Sequence, residues 1–224
     1  MEIWVLIPAY NEEKTVGEVV TKVLKKVNNV LVVDDGSTDN TADMARKAGA
    51  TLVSHTQNQG KGQAKQTGFD WLLKKNFDVV ITMDADGQHS PEDLPKFLKL
   101  WSRTKADIII GNRMRDTRDM PYIRYLTNRF MSLTDSLIVG QRFEDTQCDY
   151  RLISRGVLEK IRIATARFEA DVEFLFRAAQ YGFRIISMPV RTIYIPGRQS
   201  KIRPLRDTFR YIRLCLKEIF RITR

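Results

Sequence analysis

The sequence has no apolar window of about eighteen residues or more, and it begins on a strand-like run instead of a basic stretch followed by an apolar one. Neither a membrane-spanning helix nor a secretory leader is therefore expected, and the chain is expected to stay on the cytoplasmic side. Cysteine is scarce: Cys148 and Cys215 lie far apart without metal-ligand spacing. That suits a reducing compartment, argues against a thiolate-bound zinc and leaves both as packing residues. Low-complexity linkers and internal repeats are also missing, so 224 residues with 43% hydrophobic content suit a globular chain with a sizeable core. The Gly-x-x-x-x-Gly-Lys-Ser/Thr pattern of P-loop nucleotidases does not occur. Nor is there an aromatic stacking platform among the basic residues, so no nucleic-acid partner is expected.

What the chain has in excess is positive charge, a formal +10. This calls for an anionic partner. Half of the excess sits at the C-terminus, where residues 203–224 carry seven basic residues against Asp207 and Glu218, a net +5. There Leu205, Phe209, Ile212, Leu216 and Phe220 recur at steps of three and four, with Arg203, Arg206, Arg210, Arg213, Lys217, Arg221 and Arg224 forming a second stripe. The pattern is a basic amphipathic helix, which lies either on an anionic membrane surface or against its own domain with a solvated basic face.

Residues 3–7, 30–33, 79–82 and 107–110 are short, nearly continuous apolar runs, as in strands covered on both faces. Helical spacing fills 12–27, 40–48, 63–75 and 92–101 between them, which predicts a mostly parallel α/β sheet flanked by helices. After about residue 112 come a long helix candidate, a helix over 170–181 and an extended piece from 184 to 195, elaborating the same domain. The expected division is 1–202 for this domain and 203–224 for the terminal helix. Open parallel sheets bind ligands beyond the carboxyl ends of their strands. PAYNEE, DDGSTDNT, NQGKGQA and DADGQH all fall there.

Each loop has a chemical and a purely structural reading. Asp34 and Asp35 end a strand; Ser37 or Asp39 can cap the next helix, while Asp35 can accept hydrogen bonds from a base or ribose. NQGKGQA, with two glycines around Lys61, is either a phosphate-cradling loop or a turn into a helix with a surface lysine. In MDADGQHSPEDL, residues i and i+2 of a strand share a face, so Asp84 and Asp86 can converge on a hard cation, with Ala85 leaving room and Gln88 adding an oxygen. Mg2+ or Mn2+ bound through two carboxylates would be completed by a diphosphate. Glu92 and Asp93 after Ser90-Pro91 are helix-start chemistry, and His89 is either a ligand or a turn residue.

IPAYNEE, VVDDGSTD, NQGKGQA, MDADGQH, IGNR, DTQCDYR, FEADVEFL and SKIRP, in that order over most of the chain, resemble the family 2 glycosyltransferases, and more closely their polyprenyl-phosphate branch of dolichyl-phosphate mannose and glucose synthases. The resemblance implies a GT-A fold and transfer of a hexose from a nucleotide-diphosphate sugar, of the GDP-mannose or UDP-glucose type, to a dolichyl or undecaprenyl phosphate. It implies nucleotide-sugar contacts from Pro8, Tyr10, Glu12, Asp35 and Lys61, and metal and diphosphate contacts from Asp84, Ala85, Asp86 and Gln88. Arg113, Arg124, Asn128 and Lys201 match positions facing the acceptor phosphate, with Asp86, Arg113, Arg124 and Lys201 as the catalytic set. Asp149 departs from the pattern, standing where a glycine is more usual. Asp145, Glu169, Asp171 and Glu173 are left to shape the acceptor pocket or hold the arginines. The alternatives are a sugar-phosphate nucleotidyltransferase, which should show an arginine-containing glycine-rich loop in place of PAYNEEK, and a non-catalytic basic membrane-binding module. The expected location is peripheral, at the cytoplasmic face of a membrane.

Overall fold

The structure is a computed structural model that describes residues 1–193 and 204–222, with no account of the side chains of 204–207 and 221–222. Lys201, Arg203 and Arg224 lie outside the described residues. The first half alternates as the apolar runs predict: β1 (Ile3–Ala9), α1 (Val16–Leu24), β2 (Asn29–Asp34), α2 (Thr41–Lys47), β3 (Thr51–Ser54), α3 (Lys61–Leu73), β4 (Val79–Thr82) and α4 (Leu94–Thr104). The second half adds β5 (Ile108–Asn112), α5 (Tyr122–Val139), β6 (Arg151–Ser154), α6 (Arg155–Lys160), α7 (Glu169–Gln180), β7 (Ile185–Pro189) and α8 (Pro204–Ile222).

One sheet runs in the order β3-β2-β1-β4-β6-β5-β7. β1, β2, β3 and β4 are mutually parallel where they pair, as are β5 and β7. β1 sits in the middle of that parallel half and is buried from Trp4 to Ala9, because a strand covered on both faces excludes water only if every position is apolar. On α1 the valines at 16, 19, 20 and 23 form the stripe packed on the sheet.

β6 breaks the parallel pattern, pairing antiparallel with both β4 and β5. No apolar run announces it, since it is four residues long and begins with Arg151. That arginine is wholly buried. Its guanidinium donates to the carbonyls of Cys148 (2.8 Å), Asp171 (2.7 Å) and Thr146 (2.8 Å), so the charge is solvated by backbone instead of water. The same three bonds tie the loop before β6 to the first turn of α7.

The terminal helix docks on the domain through Tyr211, Leu214 and Cys215, which pack with Val172 and Phe176 of α7. Tyr211 donates its hydroxyl to Asp135 of α5 (2.8 Å), and Gln180 donates to Glu218 (2.8 Å). Among the described residues no helix is long and apolar enough to cross a membrane.

Candidate active site

The carboxyl ends of β1 to β4 open on one rim, where the loops are cross-linked. Asn11, at a positive φ of 51°, receives Thr38 N–H on its side-chain oxygen (2.9 Å) and donates its own N–H to Ser37 Oγ (2.9 Å). Glu12 N–H donates to Thr41 Oγ1 (2.7 Å). Pro8 is buried at the end of β1, and Tyr10 and Glu12 are half-buried beside it. Neither residue expected to cap α2 does so: the cap position is Asn40, whose side chain makes no capping bond, while Asp39, one residue earlier, accepts Thr41 N–H (3.0 Å) and Ser37 serves Asn11.

Asp35 has a structural task besides the nucleotide contact expected of it. It is buried, accepts N–H bonds from Gln59 (2.9 Å) and Gly60 (2.8 Å), and pairs with His55 Nδ1 (2.8 Å). These bonds also bear on the phosphate-cradle reading of NQGKGQA. With Gly62 N–H given to Ala166 O (2.8 Å), three amides of the loop already have protein acceptors. Both glycines are there for close approach: a Cβ on Gly60 would stand 2.3 Å from Ala166 O, and one on Gly62 2.4 Å from Thr165 O. What the loop presents is its lysine, and not as a surface residue.

Lys61 Nζ lies 2.7 Å from Asp84 Oδ1, 2.9 Å from Asp149 Oδ2 and 3.5 Å from Asp171 Oδ2. One helical turn on, Lys65 Nζ lies 2.5 Å from Asp149 Oδ1 and 2.7 Å from Asp171 Oδ1, at 1% side-chain exposure. Burial by itself would lower the Lys61 ammonium, but Asp149, Asp171 and Asp84 outweigh it and hold its pKa well above the ordinary lysine value. Burial would likewise raise Asp149, and Lys61, Lys65 and Arg151 reverse that, holding its carboxyl far below the usual range. Lys65 went unread in the sequence, although a lysine beside Ala64, Gly68, Phe69 and Leu72 on the buried face of α3 is the signal for a paired internal charge.

The metal loop differs from expectation in one respect. β4 ends at Thr82, so Asp84 and Asp86 sit on a turn and strand alternation does not bring them together. Asp84 turns to Lys61. Asp86 accepts from Gln88 N–H (2.9 Å) and from Gln88 Nε2 (2.7 Å), the amide nitrogen facing the carboxylate. His89 is neither free for a metal nor part of the turn: it is buried in a β-bridge with Thr192, accepts Asp84 N–H (3.1 Å) and stacks on Tyr150 at 4.9 Å. Among the described residues no group of three or more His, Cys, Asp or Glu side chains forms a metal cage. The donor set still fits a hard cation, because two carboxylates of the Mg2+ and Mn2+ type stand on one turn and the first already holds a positive charge, that of Lys61.

On the neighbouring side, Asp145 grips Arg113 through Nε and Nη2 (2.8 Å each) and also accepts its N–H (3.0 Å). Of the other reserved acids, Asp171 serves the lysines. Glu173 ties down the 164–165 turn through Ala164 N–H (3.1 Å) and Thr165 N–H (2.8 Å). Glu169 Oε2 is buried and finds no hydrogen-bond partner among the described residues; the same is true of Asn128 Nδ2 on α5. Arg124, one turn before Asn128, is half-buried.

The family model for glycosyl transferase family 2 matches residues 4–162. The UDP-N-acetylglucosamine--dolichyl-phosphate N-acetylglucosaminyltransferase of Methanococcus voltae is 29% identical over 86% of this chain and 86% of its own. The undecaprenyl-phosphate mannosyltransferase of Micrococcus luteus is 33% identical over 90% and 88%. Among solved structures, glucosyl-3-phosphoglycerate synthase of Mycobacterium tuberculosis, in complex with Mn2+, UDP-glucose and phosphoglyceric acid, superposes with a TM-score of 0.71 at 20% identity. That match covers 97% of this chain and 79% of the other, and it shows the shared GT-A fold.

Proposed function

The chain belongs to glycosyl transferase family 2 and is a glycosyltransferase, and from that premise we propose that it moves a hexose, with inversion, from a nucleotide-diphosphate sugar to a polyprenyl phosphate. Family membership sets aside the nucleotidyltransferase and the non-catalytic module. The donor nucleotide lies across Pro8, Tyr10, Glu12 and Asp35, with Lys61, Asp84, Ala85, Asp86 and Gln88 at the diphosphate. A divalent cation, Mg2+ or Mn2+, held by Asp84 and Asp86 with Gln88, supplies charge neutralisation on the leaving diphosphate.

The remaining chemistry belongs to the side chains and the acceptor. A lipid monophosphate, with a second pKa of about 6, is already anionic at neutral pH and needs no general base. One of its oxygens attacks the anomeric carbon, the bond from that carbon to the diphosphate oxygen breaks, and the nucleoside diphosphate leaves. Arg113, Arg124, Asn128 and Lys201 hold the acceptor phosphate against the repulsion between the two substrates. Asp145 fixes the Arg113 fork in one orientation, which is pre-organisation of the kind that transfer requires.

The observation that carries the lipid acceptor is the surface of α5 and α8. On α5, Ile123, Leu126, Phe130, Leu133 and Leu137 are exposed at helical spacing, on the helix that bears Arg124 and Asn128. On α8, Phe209, Ile212, Leu216, Ile219 and Phe220 face outward together with Arg213 and Lys217. The docked face of α8 is a different one, so docking on the domain and contact with a bilayer are compatible in the same helix. Exposed apolar side chains beside basic ones fit the interface of an anionic membrane, and the chain acts there as a peripheral protein at the cytoplasmic face.

The test is incubation with a panel of nucleotide sugars, Mg2+ and a short polyprenyl phosphate, with the glycosyl lipid detected by mass. Transfer from one donor supports the proposal and identifies the sugar. Failure with every nucleotide sugar, by a protein that binds nucleoside diphosphates, removes the lipid phosphate as acceptor.

A further inference from the structure

Lys61, Asp149, Lys65 and Asp171 form a closed square of alternating charge. Each aspartate gives one oxygen to each lysine: Oδ1 of both to Lys65 and Oδ2 of both to Lys61. Two positive and two negative charges balance, so the square is neutral without help from the metal loop. Asp84 is attached to it at one corner, through Lys61 alone at 2.7 Å. This corner is also the wettest: the Asp84 side chain is 31% exposed, against 1% for Asp149 and 10% for Asp171. Water and mobile ions replace a partner cheaply there, whereas a buried carboxylate that loses its cation has no substitute. Of the three contacts that Lys61 makes, the one to Asp84 is therefore the one that can be exchanged.

We infer that Lys61 is the resident counter-ion of Asp84 and surrenders that carboxylate to the divalent cation when the donor diphosphate arrives, so that metal and donor bind as a coupled pair. The inference rests on the donor site proposed above. With Asp84 occupied by an ammonium and Asp86 by Gln88, a cation arriving alone must displace a protein group and sit close to a like charge. A diphosphate changes both terms. It brings its own oxygens to the cation and offers the released ammonium a new anion while Lys61 keeps Asp149 and Asp171. Lys61 is thus a positioning residue whose movement links two binding events, and the coupling is reciprocal by thermodynamic necessity. Lys65, which touches neither Asp84 nor the loop after β4 in any contact described, anchors the square.

The experiment is Mn2+ binding followed by electron paramagnetic resonance, first with Mn2+ alone and then with UDP or GDP present, on the wild type, Lys61→Met and Lys65→Met. Wild type should bind Mn2+ alone weakly and with the diphosphate at least about tenfold more tightly. Lys61→Met should bind Mn2+ alone about tenfold more tightly than wild type, and the gain from the diphosphate should shrink by a similar factor. Lys65→Met should change binding of Mn2+ alone much less. Unchanged or weaker binding of Mn2+ alone by Lys61→Met overturns the inference; so does equal tightening in both variants, which would mean a bulk charge effect. Should the variants not fold, a crystal structure of the wild type with Mn2+ and the diphosphate decides. Lys61 Nζ beyond about 4 Å from Asp84 and still on Asp149 supports the exchange, and an unmoved Lys61 refutes it. The arm with Mn2+ alone does not depend on the donor, so a protein that ignores both nucleotides fails the donor proposal while its Mn2+ binding with and without Lys61 still decides the counter-ion role.

Discussion

On the rim, two lysines and three aspartates are packed together in direct ion-pair contact, whereas α5 and α8 leave phenylalanine, leucine and isoleucine side chains in solvent. The two regions invert the ordinary partition of residues, and for complementary reasons. Internal charges are tolerated on the rim because each has an opposite partner within a few ångströms and stands on a helix or a loop that is held in place. Apolar surface is tolerated on the helices because their inner faces already hold them in place, leaving the outer faces available to something other than water. On the function proposed, a site that must manage multiply charged substrates and a greasy one would be divided accordingly. Asp145 and Arg113 border the division, a buried bidentate pair that keeps an arginine aimed.

The largest effect should come from breaking the charged side. Asp86→Asn is expected to remove several kcal/mol of transition-state stabilisation, on the order of a thousandfold in turnover, with the melting temperature unchanged because the side chain is half-exposed on a turn. Near-normal turnover by a folded Asp86→Asn enzyme would falsify the metal assignment. Next comes the apolar side. Phe209→Glu with Phe220→Glu should release the protein from anionic vesicles at low salt and depress transfer to long polyprenyl phosphates more than to short, water-soluble analogues, since both side chains point away from the domain. Co-sedimentation unchanged by the double substitution would leave the apolar face of α8 without a role.

A smaller effect sharpens the border between the regions. Arg124→Lys replaces a planar fork by a point charge, so transfer should fall by roughly tenfold while binding of the nucleotide sugar changes little. Equal losses in both measurements would move Arg124 to the donor side. The smallest effect concerns how α8 is held. Asp135 accepts from Tyr211 and from Thr146 Oγ1 (2.6 Å), and burial, which outweighs both bonds, raises its pKa to about 6. A carboxyl whose folded pKa is raised favours the folded form most below its unfolded value, and that contribution is lost as pH rises through the folded one. Stability should therefore drop by roughly 1 kcal/mol between about pH 5 and pH 7.5 through this group, a trend absent from Asp135→Asn. Denaturant midpoints of the two proteins across that range provide the measurement; parallel curves would remove Asp135 from the account.

The local sequence carried much of this protein. Runs such as IWVLI and VVIT suit strands covered on both faces, and once those strands pair in parallel the loops after them share a rim. The spacing of Phe209, Ile212, Leu216 and Phe220 likewise marked an apolar stripe on α8, which the structure then shows to face outward. Tertiary structure alone decided the rest. β6 is too short to show a period and is recognised only by its neighbours β4 and β5. The outward face of α5 is a pattern that, in sequence, reads the same as an inward one; only the docking of α7 and α8 on the opposite side tells which it is. Asp35, read for a nucleotide, also clamps Gln59 and Gly60, partners some two dozen residues away. Lys65, Asp149 and Asp171 each carry some mark in sequence, but nothing there pairs them, the lysine standing 84 and 106 positions from its two acids. A charge is inexpensive in water and costly in a protein interior, so its meaning depends on which partner the fold delivers, and that information is not local.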